Sequence, residues 1–151
     1  MTLQDPLFTT YAIAASLMIL KYMGQGWITV VRMLSTNAGM VNPEDLRPGA
    51  INKTPDPSQL EPNESVERSR RMHRNDMENI PGFLVAGLLF VAAEPPLWLA
   101  QTLLYGFVAA RLGHFWVYST ARSHESRATF YTIGSLIVIG MAGYVLVRAI
   151  A

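Results

Sequence analysis

The chain has 151 residues, 50% of them hydrophobic and 15% charged, with 12 lysines and arginines against 11 acidic residues. One domain is the expectation at this length, and a net charge of +1 gives no electrostatic case for nucleic acid. The absence of cysteine excludes disulfides, thiolate metal sites and a cysteine nucleophile, and His73, His114 and His124 are too far apart for a short zinc motif, so no metal is expected.

Taken in chain order, the apolar segments are long. Pro6 to Leu20 carries no charge, Lys21 interrupts, and Tyr22 to Val31 completes a first segment able to cross a bilayer. Its start has an Asp and no basic residue, which does not suit a secretory signal, so the segment is expected to be retained. From about residue 35 to 64 run five prolines (Pro43, Pro48, Pro55, Pro57, Pro62) among Asn and Asp, the pattern of an irregular extramembrane connection with no second domain. Asn79 to Ala93 and Pro95 to Ala110 are two further apolar runs, broken apart by Glu94, Pro95 and Pro96. Ala128 to Val147 is twenty residues without a charge, and at about 1.5 Å per residue it matches the roughly 30 Å of a hydrocarbon core. The reading is all-α: one integral membrane four-helix bundle covering residues 1–151.

Four crossings put both termini on one side. The 35–74 stretch and the short 122–127 loop hold most of the arginines, so the positive-inside rule places them in the cytoplasm and the termini outside or in a lumen.

Charge also sits where a membrane disfavours it. Val66 to Glu78 (VERSRRMHRNDME) runs without Pro or Gly into the second apolar segment, which implies one helix, polar in its first half. Arg71, Arg74, Asn75 and Glu78 fall at i, i+3, i+4 and i+7, a single face. A solvated stalk with its charges paired one turn apart would account for these residues alone. In the third segment, however, Arg111, His114 and Tyr118 sit at i, i+3 and i+7 among Leu, Phe, Val and Trp, and an arginine at bilayer depth costs about 2.5 to 3.5 kcal/mol unless it faces protein or a wet cavity. Arg127 and Tyr131 add a polar pair at the start of the fourth segment, and Arg32 stands near the end of the first. Such a set suits a small, flexible, polyanionic ligand: guanidinium forks for carboxylates, a Glu for an ammonium, Asn and Tyr for peptide groups. Glutathione has these features and brings a thiol; a phospholipid headgroup or a nucleotide would also suit the arginines.

Three blocks of sequence resemble a known family. Asn42-Pro43-Glu44-Asp45 matches an N-P-E-D box, Val66-Glu67-Arg68 through Arg71-Met72-His73-Arg74-Asn75-Asp76-Met77-Glu78-Asn79-Ile80 is similar to a V-E-R-x-x-R-A-H-x-N-D-x-E-N-I signature, and Arg111-x-x-His114-x-x-x-Tyr118 with Arg127 matches its third and fourth helices. The family is that of membrane-associated proteins in eicosanoid and glutathione metabolism (MAPEG). The resemblance implies a homotrimer of four-helix protomers, with glutathione as co-substrate between subunits. By position it implies that Arg32, Arg71, Arg74, Asn75, Glu78, His114, Tyr118, Arg127 and Tyr131 bind glutathione, with Arg127 stabilising the thiolate. In the prostaglandin synthase branch the aspartate matching Asp45 has a catalytic role. Departures concern the second substrate: Pro81 comes one residue early, Met72 replaces an alanine, and Ala128 follows Arg127 where the prostaglandin synthase branch has a serine, although Tyr131 matches that branch.

The functional expectation is a multi-pass glutathione transferase with glutathione peroxidase activity, in a bacterial inner membrane or the endoplasmic reticulum. It would act on lipophilic electrophiles or lipid hydroperoxides held in membrane lipid. Two alternatives stay open: glutathione-dependent endoperoxide isomerisation, and a non-enzymatic lipid-binding scaffold.

Overall fold

The computed structural model describes residues 2–151, and among these it contains four long helices and no β-strand. The first, α1 (Pro6–Thr36), begins where Asp5 accepts a hydrogen bond from the Leu7 backbone N–H at 3.0 Å and Pro6 pre-sets the first turn. It ends at Asn37, whose φ of 49° puts the left-handed turn of a helix C-terminus on a residue type that tolerates it. Lys21 does not interrupt α1, which extends five residues past the apolar run that defined it in sequence.

The connection that follows is more ordered than its prolines suggest. Pro43 and Pro57 open two short 3-10 helices, Pro43–Leu46 and Pro57–Leu60, each preceded by a capping Asn or Asp. Gln59, 1% exposed, ties the segment together. Its Nε2 donates to Asn37 Oδ1 at 2.6 Å, its Oε1 accepts from Asn52 Nδ2 at 2.8 Å, and Asn52 Nδ2 also reaches the Asp45 carbonyl at 3.1 Å. Amide side chains can donate and accept at once, so three of them close a small polar core where there is too little apolar surface to form one.

Helix α2 (Glu64–Ala92) is the continuous element its sequence implies, capped by Asn63 and running on through Pro81. Glu94, at φ 50°, and the Pro95–Pro96 pair turn the chain into α3 (Leu97–Ser119). Ser123 then caps α4 (His124–Ile150), which starts one turn before the apolar run. Helix α2 packs against all three others, with α1 against α3 and α3 against α4. The core lies between them: Met18, Phe83, Phe90, Leu104, Phe107 and Met141 are fully buried, and the Phe83 and Phe107 rings stack at 4.0 Å.

Large apolar side chains also cover much of the outer surface of α1 and α4. On α4 only Gly134 and Met141 are buried, while Leu136, Ile139 and Leu146 are each more than 60% exposed. Leu20, Trp27 and Val31 project likewise from α1. Water would not tolerate so large an apolar belt, and hydrocarbon does. Helices α1 and α4 are both long and apolar enough to span a membrane.

Candidate functional site

The polar side chains of the helices gather near one end of the bundle. Asn75 from α2, His114 and Tyr118 from α3, and Arg127 and Tyr131 from α4 line a cavity of about 300 Å³, together with Ala128 and with His124, which motif reading did not single out. The α3 pair follows from the i, i+4 stack: the His114 and Tyr118 rings lie 5.5 Å apart. The α4 pair has the same spacing, and the Arg127 guanidinium sits 4.9 Å from the centre of the Tyr118 ring, a cation–π contact across helices. The Arg127 side chain makes no hydrogen bond or ion pair among the described residues, and its Nε is buried without a partner, so its charge is uncompensated beside the cavity it lines.

Behind the cavity lies a dry ionic network. Arg111, 0% exposed, donates through Nη2 to Asp76 Oδ1 at 2.6 Å and to Asn75 Oδ1 at 2.8 Å. Asp76 is as fully buried, and its other oxygen pairs with Lys21 of α1. Three helices are thus tied by charges that would each be costly if buried alone. Sequence reading marked Lys21 as a break in an apolar run and Arg111 as misplaced charge; that they share one carboxylate depends on packing between residues 35 and 55 positions away from Asp76.

The remaining candidates lie elsewhere on the protomer. Arg71 is exposed, bonds Glu64 at 2.7 Å and stands beside Tyr118. Arg74 lines a separate groove of about 370 Å³ between α1 and α2, with Gly26, Arg70 and His73. Glu78 is exposed, and although it lies one turn from Arg74 the two form no ion pair among the described residues. Arg32 donates to the Ser65 carbonyl at 2.9 Å. Asp45 faces a third cavity, of about 470 Å³, between the connection and the end of α1, with Met33, Met40 and Ile51. The helical wheel of α2 groups Arg71, Arg74, Asn75 and Glu78 as neighbours, but within a single protomer only Asn75 lines the cavity with the α3 and α4 residues, Arg71 standing beside Tyr118 at its edge. No cluster of three or more His, Asp or Glu able to hold a metal occurs among the described residues.

An open, donor-rich cavity on a membrane-compatible four-helix unit is the setting in which a sequence comparison bears on function. The profile of the MAPEG family matches residues 11–147. The chain belongs to the MAPEG family. Among similar members, microsomal glutathione S-transferase 1 of Rattus norvegicus is 35% identical over 143 residues, covering 94% of this chain and 88% of its own. The human protein of that name is 33% identical over 141 residues, 93% of this chain and 89% of its own. Prostaglandin E synthase of Equus caballus is 32% identical over 133 residues, 87% of this chain and 82% of its own. The MAPEG match spans all four helices, so the cavity, the α1/α2 groove and the ordered connection all lie inside the shared region.

Proposed function

We propose that this MAPEG protein is a membrane-bound glutathione transferase with glutathione peroxidase activity, acting on lipophilic electrophiles and lipid hydroperoxides dissolved in the bilayer. The observation that carries the reading is the convergence of Asn75, His114, Tyr118, Arg127 and Tyr131 from three helices on one cavity, with the Arg127 charge uncompensated beside it. Relatives named microsomal glutathione S-transferase 1 at 32–35% identity over more than nine-tenths of the chain support glutathione as the co-substrate.

In this reading residues 1–151 form one domain that crosses the membrane four times and assembles as a homotrimer. Two features support a neighbouring copy. The cavity is open on one side, where its lining residues His124 and Tyr131 are exposed, so a ligand seated in it is left uncovered by this protomer. Arg74 and Glu78, exposed and without an ion-pair partner on a helix that continues into apolar sequence, need a polar covering. Glutathione between protomers meets both needs: Arg71, Arg74, Asn75, Glu78, His114, Tyr118 and Tyr131 bind it from one subunit, and Arg32 and Asp45 reach it from the next. The arginine-rich connection faces the cytoplasm, and both termini lie on the other side of an inner or endoplasmic reticulum membrane.

The chemistry follows from holding a thiolate at a boundary between water and lipid. Arg127 stabilises the sulfur anion, and Tyr118 and Tyr131 donate hydrogen bonds around it. In transfer, the sulfur attacks an electrophilic carbon, a C–S bond forms, and the leaving group departs with its electron pair. In peroxide reduction, the thiolate attacks the outer peroxide oxygen and the O–O bond breaks. The alkoxide takes a proton to become an alcohol, and the resulting sulfenic acid of glutathione condenses with a second glutathione to give disulfide and water. Asp45 serves as a general acid–base group. Endoperoxide isomerisation is the second reading, favoured by Tyr131 and by relatives named prostaglandin E synthase.

The test is titration calorimetry with glutathione on the detergent-purified protein, followed by turnover with a halonitrobenzene, a lipid hydroperoxide and an endoperoxide. Saturable binding with turnover of the first two supports the transferase. Turnover of the endoperoxide alone transfers the assignment to the isomerase, and absence of glutathione binding leaves the lipid-binding scaffold.

A further inference from the structure

Lys21 lies on α1, which contributes nothing to the cavity at Asn75, and its side chain is 10% exposed at a depth where an unpaired ammonium would be very costly. Its Nζ pairs with Asp76 Oδ2 and also lies 5.6 Å from the centre of the Phe115 ring. That pairing has a consequence for the other carboxylate oxygen. A free aspartate and an arginine tend to join by two parallel bonds. Here Oδ2 is taken, so Arg111 approaches Asp76 through Nη2 alone, and its Nε and Nη1 are buried without partners. The same Nη2 is then left to donate to Asn75 Oδ1.

A guanidinium has five donors and no acceptor, so only the oxygen of the Asn75 amide can face Arg111. The amide is therefore fixed in one of its two orientations. Its Nδ2, which has no partner among the described residues, points the other way, on the side of the cavity.

We propose that Lys21 is a positioning residue for the glutathione site: by occupying one oxygen of Asp76 it keeps Arg111 on Asn75, and so makes Asn75 a hydrogen-bond donor to a carbonyl or carboxylate of the ligand. The proposal rests on the glutathione reading. It predicts that removing Lys21 lets Asp76 chelate Arg111 with both oxygens, frees the Asn75 amide to rotate, and weakens binding from a side chain that the ligand does not touch.

The experiment is a thermodynamic cycle on the intact detergent-solubilised assembly, with reduced glutathione as the calorimetric probe. Lys21→Met should raise the glutathione dissociation constant about three- to tenfold, the scale of one intramolecular hydrogen bond. It should raise KM for glutathione more than it lowers kcat, and Lys21→Arg, which can still donate to Asp76, should restore most of the loss. Asn75→Asp keeps an acceptor for Arg111, removes the donor and sets a negative charge toward the ligand's oxygen, so it should cost about tenfold or more. In an Asn75→Ala background, Lys21→Met should have less than about a twofold further effect, because its route to the ligand is gone. A purely structural lysine gives a different pattern, with equal losses in both backgrounds, and that result or wild-type affinity in Asn75→Asp overturns the proposal. Should Lys21→Met fail to assemble, Lys21→Ala, which also cannot donate to Asp76, takes its place under the same criteria. Failure of the wild-type protein to bind glutathione would instead remove the functional reading on which the proposal depends, so the two failures are distinct.

Discussion

Gly113 of α3 lies directly against the ring of Phe130 of α4: a Cβ added at Gly113 would fall 2.3 Å from Cε1 and 2.7 Å from both Cδ1 and Cζ of that ring. His114 follows Gly113, and Phe130 stands between Arg127 and Tyr131, so this contact sets the distance between the two polar pairs. Alanine at Gly113 would gain about 1 kcal/mol in helix propensity and lose about 1 to 3 kcal/mol to overpacking, a net loss. Gly113→Ala is therefore expected to lower the thermal midpoint and weaken glutathione binding together, and Phe130→Leu in the same chain should recover part of both. Thermal unfolding and calorimetry on the three proteins check it; a stabilised Gly113→Ala variant with normal binding would show that the helices separate freely.

Arg74 and Glu78 offer a charged pair of groups, one turn apart, with no ion pair between them. Breaking one partner of a buried charged hydrogen bond costs about 2 to 5 kcal/mol, so Arg74→Ala or Glu78→Ala should raise the glutathione dissociation constant by at least about tenfold while the assembly persists. Arg122, exposed and resting 5.3 Å from the Trp116 ring, is the comparison and should bind normally when changed to alanine. Arg70 is unsuitable for that purpose, because it pairs with Glu67 and donates to the Gly39 carbonyl, pinning the connection to α2. Unchanged affinity in both variants would return α2's charges to the role of a solvated stalk.

Single cysteines report topology cleanly in a chain that has none. Thr54, in the connection, and Thr120, at the α3–α4 turn, are both exposed and uncharged. Both are expected to react with an impermeant maleimide only after the cytoplasmic face is opened. Labelling of both in intact cells would invert the orientation, and labelling of one alone would break the four-crossing arrangement.

The helices were legible because charge and proline mark their ends so sharply. The uncharged run Ala128 to Val147 located α4, and Pro95–Pro96 separated α2 from α3. The continuity of α2 through its polar half was readable from the lack of Pro or Gly between Val66 and Glu78. The first turn of α4 was missed because it is made by a Ser123 cap on polar residues, and the order of the connection because it depends on Gln59, a residue type with no turn signature. Periodicity placed Asn75, His114, Tyr118, Arg127 and Tyr131 on faces that converge on one cavity, since each lies one turn from a partner on its own helix or on a shared stripe. It could not show that Asn75 joins the α3 and α4 residues while Arg74 faces α1, because a wheel gives direction from an axis and not the neighbour that covers it. Nor could it pair Lys21 with Asp76, which meet only after α1 and α2 pack.

The central claim is that Arg127 makes glutathione a thiolate in the cavity that it shares with His114, Tyr118 and Tyr131. A thiol with a pKa near 8.5 is only about 3% ionised at pH 7, and lowering it by about two units, roughly 2.7 kcal/mol, makes the thiolate the majority form. The stabilisation is of the anion and is fully present above the ordinary pKa, whereas the gain in thiolate population is greatest between the lowered and the ordinary pKa and vanishes above and below both. The decisive measurement is the ultraviolet thiolate absorbance of glutathione bound to the purified protein, titrated from acid to alkaline pH in wild type and Arg127→Ala. The account predicts a wild-type transition well below the free thiol's and an Arg127→Ala transition close to it, with the activity profile shifted toward alkaline pH and much of the affinity kept. A wild-type transition at the free thiol's pKa, or an unmoved one in Arg127→Ala, would contradict it.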